Sequence, residues 1–427
     1  MPTLRLRSAL LFPFRSRRRA LSSVVALAAL GFAAWYGARL YLFHRDLGAA
    51  EEALAQYDFP ATREKLRDCL AFRPRHPEAL LLATRAARRD GALDEARAHL
   101  TRYYEREGLT AEWRLESRLQ RVAEGRVEED VEYLTTLVDT GGPATAEQIL
   151  EALAEGSVTS YHELQRFWVG TLLNHFPKNP VGRLIRAQNA VIGGRHDHAA
   201  EECRAILADY PRFVRARLYL AGVLYRSQRY EEGAAAYEEL RRTRPGDLEV
   251  TLGLARSLDR SGRTEEARPL VRELEGRHAD NSEALLECGR FALKDGRPDD
   301  AERLLTRAVA LAPNDPEVRF QLSACLERLG RTEESRVHLA EFKRIEADLR
   351  RMEQLQAEIA KAPKNPAPRR EMGLICLRNG QDQEALRWLY GVLDTHPNDR
   401  ATHEALANHF QSRGDTDRAF YHRSRAR

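Results

Sequence analysis

The sequence has few aromatic residues, almost no lysine and no recognisable catalytic or metal-binding motif. Aromatic residues make up only 7% of its 427 positions. Lysine is nearly absent: of 68 basic residues, only Lys65, Lys178, Lys294, Lys343, Lys361 and Lys364 are lysines. Because 64 acidic residues oppose them, the net charge is +4, and no strongly basic surface for nucleic acid is expected. The five cysteines, Cys69, Cys203, Cys288, Cys325 and Cys376, are scattered, odd in number and never spaced Cys-x-x-Cys. That pattern excludes a disulfide framework and a zinc knuckle, and predicts buried free thiols. No nucleophile elbow, phosphate loop, Gly-x-Gly-x-x-Gly turn or His-Glu-x-x-His helix occurs. His196-Asp197-His198 is the nearest approach to a metal motif, and no further ligand spacing completes it. Neither enzyme activity, nor a cofactor, nor a metal is therefore expected.

Long hydrophobic runs are also missing, with one exception. Residues Ala20 to Ala38 carry no charge over 19 positions, about 28 Å as a helix. Arg5, Arg7, Arg15, Arg17, Arg18 and Arg19 precede the run, whereas Arg39 and Arg45 follow it. The positive-inside rule then predicts a single-pass membrane protein with a basic cytoplasmic N-terminus over 1–19 and an anchor over 20–38. Residues 40–427 would lie on the non-cytoplasmic side, with Trp35, Tyr36 and Tyr41 at the far interface. The arginine-rich composition fits a bacterial inner membrane facing the periplasm. The alternative is a cleaved signal peptide, with small residues around Ala26-Leu27-Ala28 at the cleavage site and a loose twin-arginine run at Ser16 to Leu21.

What the sequence has in abundance is repetition. Pro177, Pro211, Pro245, Ala279 and Pro313 are spaced by 34 residues, and Pro363 and Pro397 resume the interval. Seventeen residues behind most of these markers stands a glycine, at Gly194, Gly262, Gly296, Gly330, Gly380 and Gly414. Between them the apolar spacing is helical. In the unit after Pro245, Leu252, Ala255 and Leu258 mark one helix, Gly262 the turn, and Ala267, Val271 and Leu274 a second. Acidic pairs at Glu265-Glu266, Asp299-Asp300 and Glu333-Glu334 fall in the first turn of the second helices, where the macrodipole favours them. Small residues recur at Ala187, Ala221, Ala255, Gly289, Ser323, Gly373 and Ala407, and again at Ala96, Ala199, Ala267, Ala301, Ala385 and Ala419. Short side chains at those places let paired helices approach closely.

This pattern resembles the tetratricopeptide repeat, a 34-residue helix-turn-helix unit. The likeness is strongest over Ala199 to Tyr421, fair over Leu54 to Tyr104 and weaker over 109–176, where Ser160 replaces the turn glycine. About eleven units fit between Leu40 and Arg427. The resemblance implies an all-α, right-handed solenoid of antiparallel helix pairs, here preceded by one transmembrane helix. It also implies a concave face, formed mainly by first helices, that holds proteins or peptides. Pro313 to Pro363 spans 50 residues, so a helical insertion is expected near 344–360, where Ile345, Leu349, Met352, Leu355 and Ile359 form a stripe. A lengthened second helix and one additional helix both fit.

Basic residues recur late in the first helices: Arg85, Arg256 and Arg290, and four positions on Arg89, Arg226, Arg260, Lys294, Arg328 and Arg378. That spacing stacks them on one face, giving a candidate basic groove for acidic peptides. Helix C-termini attract cations for their own reasons, so capping is the competing account. Where the family's carboxylate clamp would want a cation stand Leu81, Leu184, Leu218, Leu252, Leu286 and Phe320. The function expected is a membrane-anchored scaffold for protein partners; its alternatives are an accessory factor for secretion or envelope assembly and a non-catalytic repeat subunit of an envelope enzyme. Oligomeric state is not legible in the sequence.

Overall fold

The computed structural model describes residues 12–127, 129–157, 162–362 and 364–426, without the side chains of 12–26, 28, 162 and 163. Arg5, Arg7, Ser160 and Pro363 lie outside the described residues. Among those described there are helices and no strand. In chain order they are α1 (Phe12–Ala55), α2 (Phe59–Phe72), α3 (Pro77–Arg89), α4 (Leu93–Glu107), α5 (Ala111–Ala123), α6 (Val131–Thr140), α7 (Pro143–Gly156), α8 (His162–His175), α9 (Pro180–Ile192), α10 (His196–Asp209) and α11 (Val214–Arg226). There follow α12 (Tyr230–Thr243), α13 (Leu248–Arg260), α14 (Thr264–Arg277), α15 (Ser282–Lys294), α16 (Pro298–Leu311), α17 (Pro316–Arg328), α18 (Thr332–Lys361), α19 (Pro366–Arg378), α20 (Asp382–Thr395), α21 (Arg400–Ser412) and α22 (Thr416–Arg425). The chain forms an all-helical repeat solenoid divided into two compact units, Met1–Ala236 and Tyr237–Arg427.

Local chemistry explains the recurring hairpin. Two residues after six of the seven markers an Asp or Asn caps the first helix: Asn179, Asp247, Asn281, Asp315, Asn365 and Asp399 each accept a backbone N–H from the first turn. Each such cap contributes about 1 kcal/mol by satisfying an otherwise orphaned donor. The first helix ends where the next residue pair must reverse direction, and all six turn glycines of the repeat take left-handed φ, from 69° at Gly296 to 86° at Gly262. The second helix begins with its acidic pair and stops before the next proline, whose ring disfavours helical geometry in the preceding residue.

Close approach follows from the small residues. A Cβ on Gly289 would lie 2.7 Å from Leu305 Cγ, and one on Gly373 would lie 2.7 Å from Leu389 Cγ. Both leucines are fully buried, so α15 packs on α16, and α19 on α20, with no space for a methyl group. All five cysteines are buried and unpaired, and burial pushes the Cys203 and Cys288 thiols up to about 12.

The single-pass membrane expectation is corrected by this architecture. Among the described residues no helix is long and apolar enough to cross a membrane. The helix that contains Ala20–Ala38 does not stop there: α1 runs 44 residues, and beyond Ala38 it becomes one wall of the first hairpin. Phe43, Leu47, Ala50 and Leu54 are buried in the core it shares with α2. Of the aromatics expected at a bilayer interface, Trp35 and Tyr41 are exposed and Tyr36 packs against the end of α2. Tyr36 lies 5.8 Å from the Phe72 ring and accepts a hydrogen bond from Arg73 at 3.3 Å, while Arg39 lies over the Trp35 and Phe72 rings. A membrane partner, a cytoplasmic N-terminus and a periplasmic solenoid accordingly have no support in the structure.

The weaker stretch at 109–176 departs from simple pairing. Helix α5 packs directly on α7, while α6 is ten residues long and buries only Leu134. Across the 50-residue interval a single 30-residue helix, α18, carries the added stretch. Its Met352, Leu355 and Ile359 pack with Met372 and Ile375 of α19 and Trp388 of α20. Leu349 is exposed.

Candidate functional site

Within the first unit, the turn between α1 and α2 reaches far along the chain. Tyr57 takes φ 57°, a left-handed conformation that an aromatic residue adopts only under constraint from its surroundings. Those surroundings come from α3, α7, α9 and α11. The Arg89 guanidinium stacks over the Tyr57 ring at 4.4 Å and grips Glu151 through two bonds of 2.8 and 2.6 Å. Tyr57 donates its hydroxyl proton to Glu151, and Asn179 donates to Glu151 at 2.5 Å, to the Tyr57 oxygen at 3.0 Å and to Glu147 at 2.8 Å. Around this polar centre lies an aromatic collar: Tyr57 is 5.5 Å from Phe213 and 5.2 Å from Tyr210, and Phe59 is 6.2 Å from Phe213. Arg212 pairs with Asp58, and Arg215 bonds both Glu155 and the Arg89 carbonyl.

Electrostatics fix the charge states. Burial, and then the Glu151 carboxylate, push the Tyr57 phenol far above its ordinary value, so it stays a neutral donor. Burial opposes a charge on Arg89, but Glu151 outweighs it and raises the guanidinium above its usual value. In a buried ion pair of this kind the attraction between the partners offsets the cost of taking both charges out of water, so removing either one is far more disruptive than the pair's net contribution suggests.

The nine basic residues read from the sequence fall in both units, and most are engaged by partners within their own unit. In the first unit Arg85 bonds the buried Glu116 at 2.6 Å, Arg89 belongs to the node just described, and Arg226 lies over the Tyr219 ring at 5.5 Å. In the second unit Arg256 reaches Glu287 of α15 at 2.9 Å, and Lys294 reaches Asp259 of α13 at 2.5 Å. Arg328 donates to the Leu293 carbonyl at 3.1 Å, and Arg260 is likewise engaged. Arg378 binds Asp348, whose carboxyl is held below its usual range because Arg378 and Asn379 overcome the effect of burial. Arg290 is the loosest of the set, 4.0 Å from Glu317 and more than a third exposed.

The first helices of the second unit also differ in how far one apolar register is covered. Leu252, Leu286 and Phe320 occupy the same register, 34 residues apart. The two leucines are each 4% exposed; Phe320 is 42% exposed, its ring 5.3 Å from Phe342 of α18. The second unit thus presents an open aromatic on α17 and a weakly held guanidinium on α15. His196, Asp197 and His198 lie in the first turn of α10, and among the described residues no cluster of three His, Cys, Asp or Glu could hold a metal ion.

Sequence reasoning missed the node of Tyr57, Arg89, Glu151, Asn179 and Phe213 as an assembly. A signal existed. Phe213 stands where six other units place an Asp or Asn cap, and Gln228 stands where they place the turn glycine, taking φ 62°. The unit that breaks the pattern twice is the one whose entry closes against Tyr57.

Comparison with known proteins agrees with the repeat. Residues 186–247 and 252–316 match one model of the tetratricopeptide repeat, and residues 292–359 match another. No curated protein matches the sequence. Among solved structures, MamA (residues 41 to the end) from Desulfovibrio magneticus RS-1 is 13% identical, covering 39% of this chain and 93% of its own at a TM-score of 0.34. The Cut9–Hcn1 hetero-tetramer of the APC/C is 14% identical over 88% of this chain and 85% of its own, at 0.33. YrrB, a TPR protein with an unusual peptide-binding site, is 19% identical over 48% and 98%, at 0.29. Segments 186–247 and 252–359 of this chain are thus tetratricopeptide repeats.

Proposed function

We propose that the chain is a non-catalytic scaffold that holds a protein or peptide partner on the first-helix face of its second unit. The observation that carries this reading is Phe320, left open at a register where Leu252 and Leu286 are buried. Aromatic residues and arginine are both enriched at protein interfaces, and the second unit offers Phe320 and Arg290. Tetratricopeptide repeats bind proteins or peptides, and here Arg290 gives the anchor a preference for acidic segments, because its own carboxylate partner is 4.0 Å away. Arg256, Arg260, Lys294, Arg328 and Arg378 border the same helices and are already committed to internal partners, so they shape the face and contribute less to binding. The first unit has no comparable opening at its node, where its own Tyr57 and Phe59 fill the space against Phe213.

A photo-crosslinking amino acid at position 320, in the full chain expressed in its own host, tests the reading. A discrete protein adduct that Arg290→Glu abolishes is the expected result. No adduct at position 320 together with full adducts at exposed control positions on second helices would overturn it.

A further inference from the structure

The terminal hairpin of α21 and α22 contains a buried pair of histidines that neither the repeat pattern nor the proposed binding role requires. His403 is 2% exposed and His422 is 3% exposed, and their Nδ1 atoms face each other at 2.9 Å. The tautomers follow from the outer partners. His403 Nε2 lies 2.9 Å from the Pro397 carbonyl, which can only accept, so Nε2 carries the proton and Nδ1 is left as an acceptor. His422 Nδ1 must then donate to it, which leaves His422 Nε2 to accept from the Tyr390 hydroxyl at 3.4 Å. Each of the three contacts has one proton. The hydrogen bonding of the chain Tyr390, His422, His403, Pro397 requires His403 to stay neutral, and a second proton on His422, which Tyr390 could accept, would put a charge on a buried ring. A proton added to His403 would set N–H against N–H at 2.9 Å.

The surroundings offer no charge to compensate. Facing the pair are Tyr390 from α20, Phe410 from α21, which stacks on His422 at 5.8 Å, and Tyr421 from α22. The nearby charged groups on these elements are otherwise occupied. Arg418 bonds Asp415 and lies over the Phe410 ring, Arg425 lies over Tyr421, and Asp399 is held by Arg370 and by the Thr402 N–H. Among the described residues no carboxylate pairs with either imidazole. Burial, and then His403, hold His422 below the ordinary histidine value. Helix α22 has little else to keep it in place, since Ala419 and His422 are its only buried side chains.

We propose that the His403–His422 pair is a pH-sensitive clasp that releases α22 from α20 and α21 on acidification, uncovering the apolar surface around Leu389, Leu406 and Phe410. The sign follows from linkage. The released state binds protons that the docked state excludes, so the clasp holds above the ordinary histidine value of about 6.5 and weakens as pH falls through it. Below that value the opening equilibrium rises about tenfold per pH unit for each ring that must be protonated.

Hydrogen exchange of the 416–425 amides in the full chain, corrected for intrinsic rate, tests the clasp at pH 7.5 and 5.5. Protection should fall at least tenfold at the lower pH in the wild type. The variant His422→Phe, which keeps a ring against Phe410, should lose this pH dependence. Unchanged wild-type protection, or the same pH dependence in the variant, would overturn the proposal. As a check independent of the variant's folding, imidazole resonances of the wild type should show His422 titrating below 6.5; titration at or above that value would equally overturn it.

Discussion

The two units are built from the same hairpin but are held together differently. In the second, bonds between helices join neighbouring repeats, as do Arg256 to Glu287, Arg268 to Asp295 and Lys294 to Asp259. Each repeat touches its neighbours, and its stability is a sum of local terms. The first unit adds contacts spanning 94 positions from Tyr57 to Glu151, 122 from Tyr57 to Asn179 and 154 from Asp58 to Arg212. A repeat array with such contacts ceases to be one-dimensional: its ends report on each other. The comparison teaches where a solenoid keeps its surface free, namely where it makes no bond to itself beyond the next repeat.

Removing the node should break the contrast most sharply. Glu151→Ala leaves the Arg89 guanidinium buried without its carboxylate, and the first unit should lose about 3–5 kcal/mol. Residue-resolved hydrogen exchange would show protection falling together in α1–α3 and α7–α11, since the contacts link both ends. A fall restricted to α7 would mean the long-range bonds contribute little. Overpacking tests the local unit in the opposite way. Gly289→Val pushes a branched side chain into Leu305 and should cost about 1–3 kcal/mol, with exchange rising in α15 and α16 and fading within one repeat to either side. The smallest effect is a gain. Gln228 holds a left-handed φ without being glycine, so Gln228→Gly should stabilise the first unit by about 0.5–1 kcal/mol in urea titration, with an unchanged slope.

Much of the hairpin was legible because its signals are short-ranged. An acidic first turn at Glu265-Glu266, a turn at Gly262 and a small residue at Ala255 are each decided within one unit, and a 34-residue period repeats them; the cap at Asp247, equally local, went unread. The node was not legible, because periodicity carries information about the next repeat and none about one 94 positions away. Only the departures at Phe213 and Gln228 marked the place, and an exception says that a rule is broken without naming the residue that breaks it. The His403–His422 contact shows the same limit on a smaller scale, since neither residue is unusual until both are placed in one core. The membrane expectation failed for another reason. A window of uncharged residues measures composition alone, whereas Tyr36 and Phe43 are committed to Phe72 by the helix continuing past Ala38. Among the basic residues, spacing correctly put Arg256 and Arg290 on equivalent positions, but it could not show that Glu287 waits for one at 2.9 Å and Glu317 for the other at 4.0 Å.

Helix α18 carries a mechanical consequence. One uninterrupted rod of 30 residues, about 45 Å long, completes the hairpin with α17 at its start and supports α19 farther along. A residue deleted from a turn elsewhere can be absorbed by the loop. Deleted from the middle of this rod, it would swing everything downstream through about 100°. The length of α18 therefore sets a gear ratio between the repeats on either side of it, which evolution can adjust only in whole turns.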